Sequence, residues 1–197
     1  MPMPTYLVAF VISDYQIDTI EGFSPKTNTQ VRVPGPDFII NNGLADYALN
    51  KSMILIDAFS EVRSSIRVFF LMSIKYFDFD YTKSFLPGRA KSDQIGIPDY
   101  LAGAMENWGL VTYQFYYIYT NEIDFPAWYI NDIAITIGHE LIHQWTGNLI
   151  SCGWWDDLWI NEAFADFGGY LSLRWAEPDV VWENQARSLD SKDFRTK

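Results

Sequence analysis

The chain has one cysteine, Cys152, so no disulfide can form within it, and a single free thiol reads as a small buried hydrophobe. It has no basic run: 14 Lys+Arg stand against 25 Asp+Glu, a net charge of −11. That balance makes nucleic acid and anionic membrane poor partners. No apolar run approaches the roughly 18–20 residues a membrane span needs. The longest near the start, Leu7 to Ile12, has no basic residues before it and no small-residue cleavage pattern after it. Histidine is nearly absent, with His139 and His143 the only two in 197 residues. What is present is a globular composition, 49% apolar and 17% aromatic, in a chain long enough for one substantial core or one domain plus part of another.

Both histidines fall in Gly138-His139-Glu140-Leu141-Ile142-His143, a His-Glu-x-x-His motif. In a helix, positions four apart lie about 40° around the axis and one turn along it, so both imidazoles can reach one metal ion. Glu140, beside them, is placed to act as general base on a metal-bound water. A catalytic zinc site takes three protein ligands and leaves a position for water. Glu162 is the candidate third ligand. It lies 19 residues after His143, a gap that fits a helix end, a connector and about one turn of a returning helix. Its neighbours Trp159, Ile160, Ala163 and Phe164 argue against full exposure. Asp166 shares a helix face with Glu162 and is the candidate hydrogen-bond partner for one of the two histidines. Taken alone, His-Glu-x-x-His arises by chance in many proteins, where the histidines are core residues. Glu162 and the motifs below weigh against that.

Periodicity and turn residues give the remaining expectations. Tyr6–Ser13 reads as a strand, 21–28 as a loop, and Gln30–Val33 as a strand stopped by Pro34-Gly35-Pro36. Residues 37–42 read as extended and 44–62 as helix, while 65–81 is ambiguous between strand and buried helix. A loop over 85–93, a strand over 93–97 and a β-prone run over 110–119 come next. A helix capped by Asn131 or Asp132 carries Ile133, Ile137 and Leu141 on one stripe and stops at Gly147-Asn148. A second helix runs from Asp156 or Asp157 to Trp175.

Gly103-Ala104-Met105-Glu106-Asn107, then His139-Glu140-Leu141-Ile142-His143, then Glu162, resembles the aminopeptidase N (membrane alanyl aminopeptidase) family of gluzincin zinc peptidases. Asp93-Gln94-Ile95, Trp108-Gly109-Leu110, Gln144-Trp145-Thr146-Gly147-Asn148 and Trp154 to Asn161 add to the match, which is strongest over 93–178. The resemblance implies an α+β fold: an incomplete thermolysin-like catalytic domain over 23–197, preceded by the tail of an N-terminal β domain over 1–22. It implies one Zn²⁺ per chain, peptide substrates with a free N-terminus, and release of N-terminal residues through metal-activated water. By the same match Glu106 would bind the substrate's α-amino group. Gly103, Ala104 and Met105, with Asn107 in the same substrate-binding stretch, would offer backbone to the peptide like an added strand. Location within the cell does not follow, since the family has membrane-associated, extracellular and cytoplasmic members.

Three departures bear on activity. Gln114-Phe115 stands where the family has an Arg-Glu pair, Ala163 stands where it often has Gly, and the family's transition-state tyrosine falls beyond Lys197. A catalytically impaired metal- or peptide-binding remnant is therefore the alternative to an active zinc aminopeptidase. A thermolysin-type endopeptidase is disfavoured, because an amine anchor at Glu106 would obstruct internal peptide bonds.

Overall fold

A computed structural model describes residues 5–13, 16–70 and 91–178. The elements in chain order are β1 (Ile17–Phe23), β2 (Gln30–Pro36), α1 (Asp37–Asn41), α2 (Asp46–Phe70), β3 (Lys91–Ile97), β4 (Ala104–Met105), β5 (Leu110–Gln114), α3 (Phe115–Ile118), α4 (Ala127–His143) and α5 (Leu158–Ala176), with short 3-10 turns at Thr5–Leu7 and Trp155–Asp157. The fold is mixed α+β.

The strands form one sheet in the order β1-β2-β3-β5-β4. β2, β3 and β5 run parallel, and β1 and β4 close the two edges antiparallel. Position in the sheet explains composition. β2 alternates, burying Val31 and Val33, as a strand with one covered face should. β3 is central and buried from Ser92 through Gly96, so its polar side chains need internal partners. Gln94 donates to Ser52 Oγ on α2 at 2.7 Å and accepts from the Tyr113 hydroxyl on β5 at 3.0 Å. Asp93 receives Arg32 Nε at 2.7 Å and Arg32 Nη2 at 2.5 Å, and Lys91 shares the Oδ2 that Nη2 contacts.

The helices cover the sheet. Leu55 and Ile56 of α2, Ile133 and Ile137 of α4 and Leu173 of α5 join Val31, Val33, Val111 and Tyr113 in one core. The stripe Ile133, Ile137, Leu141 is buried along its whole length. α4 and α5 meet at glycines: a Cβ on Gly169 would lie 2.9 Å from the His139 amide nitrogen, and one on Gly138 would lie 3.2 Å from Gly169 Cα. Only residues without a Cβ permit so close a crossing. The outer face of α5 leaves Trp159 and Phe167 exposed.

Several local expectations fail for identifiable reasons. Residues 8–13 form no strand, because no described strand offers them a hydrogen-bonded ladder; Leu7 is buried, while Phe10 and Ile12 are exposed. Residues 21–23 belong to β1, paired with Gln30–Arg32, and β1 straddles position 22. β2 runs on through Pro34 to Pro36. Its partner β3 reaches only Arg32, so the prolines sit where that side carries no ladder. Residues 37–41 are helical, with the Asp37 carboxylate accepting the Phe38 amide at 2.8 Å in the first turn. α2 continues to Phe70; positions 71–81 of the ambiguous stretch and 85–90 of the expected loop lie outside the described residues.

β5 ends at Gln114, and Phe115–Ile118 turn helical despite their β propensity. Tertiary contact decides it. Tyr119 folds back to donate to Pro34 O at 2.5 Å and accept from Gly96 N at 3.2 Å, against a glycine whose Cβ would collide with its ring at 2.6 Å. α4 starts at Ala127, four or five residues before the expected cap, because the Pro126 carbonyl already accepts from Tyr129 and Ile130.

Candidate metal and substrate site

α4 and α5 each supply one side of a cluster. His139 and His143 stand one turn apart on the last turns of α4, and Glu162 projects from the first turns of α5. The glycine crossing sets the separation. His139 Nε2 and His143 Nε2 are 2.9 Å apart, and Glu162 Oε2 lies 3.3 Å from the first and 3.6 Å from the second. His143 is buried, whereas the Glu162 side chain is 48% exposed, so its apolar neighbours do not enclose it. Those neighbours turn outward: Trp159 is 66% exposed and Phe164 42%.

The outer ring nitrogens fix which atoms face inward. His143 Nδ1 lies 2.8 Å from the Thr146 carbonyl, which can only accept, so Nδ1 carries the hydrogen. His139 Nδ1 lies 2.8 Å from Asp166 Oδ1, and an ionised carboxylate also only accepts. In neutral rings both Nε2 atoms then present lone pairs, to each other and to a carboxylate oxygen. Three acceptors converge with no hydrogen to share, an arrangement that needs a positive charge between them. A proton meets that need in part. Burial alone would depress His139, but its hydrogen bonds to Asp166 and Glu162 outweigh burial and push its pKa up to about 10. His143 is raised as well against the effect of burial, by Glu162 and Glu106, and the two histidines hold Glu162 far below the usual carboxylate range. A metal ion meets the need fully. Tetrahedral donors about 2.1 Å from one centre stand roughly 3.4 Å apart, and the 2.9, 3.3 and 3.6 Å separations bracket that value. Two imidazoles and a carboxylate are also the donor chemistry of zinc. Among the described residues, these three are the grouping able to hold a metal ion.

Glu140 follows His139 on α4 and is buried, with Oε2 lacking any hydrogen-bond partner. Burial is the main cause that raises its pKa to about 7; the histidines pull it down, and Glu106 and Glu162 add to the rise. A carboxyl group poised there can both take and return a proton near neutrality.

Glu106 approaches His143 from the sheet edge. Gly147 has φ +130°, and a Cβ on it would lie 3.1 Å from His143 Nδ1 and 3.7 Å from Glu106 Oε1. The Glu106 carboxylate and the outer nitrogen of the second histidine therefore border the same bare glycine. Ala104 and Met105 form β4, an edge strand paired on one side only, and Gly103 precedes it with φ +81°. Asn107 is buried and faces inward instead: its Oδ1 accepts from Thr112 and its Nδ2 donates to the Tyr6 carbonyl at 3.3 Å. Its side chain thus ties the loop down. A cavity of about 370 Å³ lined by Tyr47, Lys51, Thr120, Glu122 and Glu177 contains none of these residues.

Sequence reasoning misses the two amides just past the motif. Gln144 and Asn148, fully or almost fully buried, both donate to the Glu106 carbonyl. Their signal is faint: Gln144 lies one turn after Glu140, so it shares that buried face. Tyr6 is missed as well. Its ring packs on Trp155 at 5.5 Å between centroids, and burial, then the Glu106, Cys152 and Glu162 charges, raise its pKa.

Comparison with known proteins gives a consistent result. Residues 60–195 match the Peptidase family M1 domain. The chain is 35% identical over 196 residues to aminopeptidase N of Oryctolagus cuniculus, a match covering 97% of this chain and 18% of the relative. It is 38% identical over 176 residues to aminopeptidase N of Homo sapiens, covering 89% of this chain and 16% of the relative. It is 36% identical over 185 residues to glutamyl aminopeptidase of Bos taurus, covering 94% and 17% respectively. The chain thus spans less than a fifth of the length of these curated relatives.

Proposed function

From its membership of peptidase family M1, to which this chain belongs, we propose that it is the catalytic segment of a zinc-dependent aminopeptidase, removing N-terminal residues from peptides. The names of its relatives, aminopeptidase N and glutamyl aminopeptidase, accord with this. One juxtaposition supports it most: the Glu106 carboxylate borders Gly147 together with His143, a member of a three-donor cluster suited to zinc. A carboxylate there captures an ammonium and sets the cut one residue from the chain end.

His139, His143 and Glu162 would hold the ion. When bound, zinc supplies charge that polarises the scissile carbonyl and makes an attacking water more acidic. The chain's own residues do the rest. Glu106 holds the α-ammonium, and β4 offers its unpaired edge to the substrate backbone. The Glu140 carboxylate takes a proton from the attacking water and returns it to the leaving amine, and burial, by raising its pKa, makes it the stronger base. Asp166 and Thr146 hold the two rings with Nε2 facing the cluster. The division into a β-domain tail over 1–22 and a catalytic domain over 23–197 belongs to the same proposal.

The test is hydrolysis of aminoacyl reporter amides by the zinc-loaded chain. Glu140→Gln should keep about one zinc per chain and lose on the order of 10²–10⁴-fold in kcat. A folded, zinc-loaded wild-type chain with no turnover would instead identify a metal-binding remnant.

A further inference from the structure

The Glu106 backbone is held by α4 and by the turn at its C-terminal end. Asn148 Nδ2 donates to the Glu106 carbonyl at 2.7 Å and Gln144 Nε2 donates to the same oxygen at 3.3 Å. Gln144 does more: its Oε1 accepts from the Gly109 amide at 3.4 Å, and its Nε2 also lies 3.5 Å from the Glu140 carbonyl. One side chain therefore touches both ends of the 106–109 turn and the turn of α4 that carries Glu140. Gln144 is fully buried and Asn148 is 3% exposed, so neither group has water as an alternative partner. Asn148 is itself fixed to the helix, its amide donating to the His143 carbonyl at 3.0 Å.

We infer that Gln144 and Asn148 are positioning residues that set the distance between Glu106 and the His139–His143 pair, and so select substrates with a free α-amine. This rests on the reading that Glu106 binds the amine. The reasoning is geometric. Glu106 directly follows the short β4 pairing with β5 and opens a turn that closes at Gly109, φ +82°, so its own backbone bonds tie it to the sheet. The Asn107 ties run to Thr112 and Tyr6 and fix the loop to β5 and the chain's start, not to α4. The hydrogen bonds from the two amides, by contrast, register the 106–109 turn against the metal helix. A shift of about 1 Å between anchor and metal is enough to spoil alignment of a bound peptide.

The experiment measures binding, so it does not depend on turnover. The zinc-loaded chain is titrated calorimetrically with leucine hydroxamate and with its N-acetyl form. Both present a hydroxamate to the metal, and only the first presents an ammonium to Glu106. The ratio of their Kd values reports the amine site. Asn148→Ala and Gln144→Met should each cut this ratio roughly tenfold, leaving the N-acetyl ligand's Kd and the zinc content unchanged. In a Glu106→Ala background the same substitutions should change nothing further. An unchanged ratio, equal weakening of both ligands, or the same loss with and without Glu106 would overturn the inference. If Gln144→Met fails to fold, Asn148→Ala carries the test, since it removes a single donor whose Oδ1 has no partner. If Glu106→Ala itself leaves the ratio intact, the amine-anchor reading fails, a result distinct from failure of the two amides alone.

Discussion

Gly169 of α5 lies backbone to backbone against Gly138 of α4, and a Cβ added to it would come within 2.9 Å of the His139 amide nitrogen. This contact fixes how near Glu162 and Asp166 approach the two histidines. An obstruction by backbone cannot be relieved by turning a side chain, so the helices themselves must part. Gly169→Ala should cost about 1–3 kcal/mol of stability and weaken zinc binding, read by denaturant unfolding and by competition with a chromophoric chelator. A variant that melts and binds zinc as wild type does would mean the crossing is not rigid.

The Asp166 carboxylate, 2.8 Å from His139 Nδ1, fixes the ring's tautomer and raises its basicity. Asp166→Asn should lower zinc affinity by about 10–100-fold with little change in unfolding midpoint for the metal-free chain, because the side chain is 59% exposed. Equal zinc affinity in the two proteins would remove Asp166 from the site.

Away from the site, Asp93 offers a pH prediction. Burial alone would raise its pKa, but hydrogen bonds from Arg32 and Lys91 outweigh burial and hold it below the ordinary carboxylate value. A carboxylate depressed on folding stabilises fully above its unfolded pKa near 4, and that stability is lost as pH falls through the lower folded value. Asp93→Asn should therefore destabilise by about 1–2 kcal/mol at pH 7, a modest figure because Arg32 is partly exposed. The gap from wild type should shrink as pH falls below 4. A gap that stays constant down to pH 3 would show that the ion pairs contribute nothing.

How much of this was legible in the sequence depends on the range of each interaction. The four-residue spacing of His139 and His143 is a local property of any helix, and Glu162 and Asp166 share a face for the same reason. The strands β3 and β5 were legible from local composition. Phe115–Ile118 were not, since Tyr119 turns the chain there through contacts with Pro34 and Gly96. Residues 8–13 have strand-like composition but no ladder to join. Gln144 and Asn148 look like ordinary polar residues after a helix, and only the approach of the 106–109 turn gives them a task. The Gly138–Gly169 contact is likewise invisible until the two helices are packed.

The most direct measurement tracks products by mass spectrometry when the zinc-loaded chain meets one peptide in two forms, with a free and with an acetylated N-terminus. A zinc aminopeptidase anchored at Glu106 should strip N-terminal residues stepwise from the free form only, with the loss abolished by chelation and restored by zinc. Cleavage at internal bonds, or equal cleavage of the acetylated peptide, would contradict it.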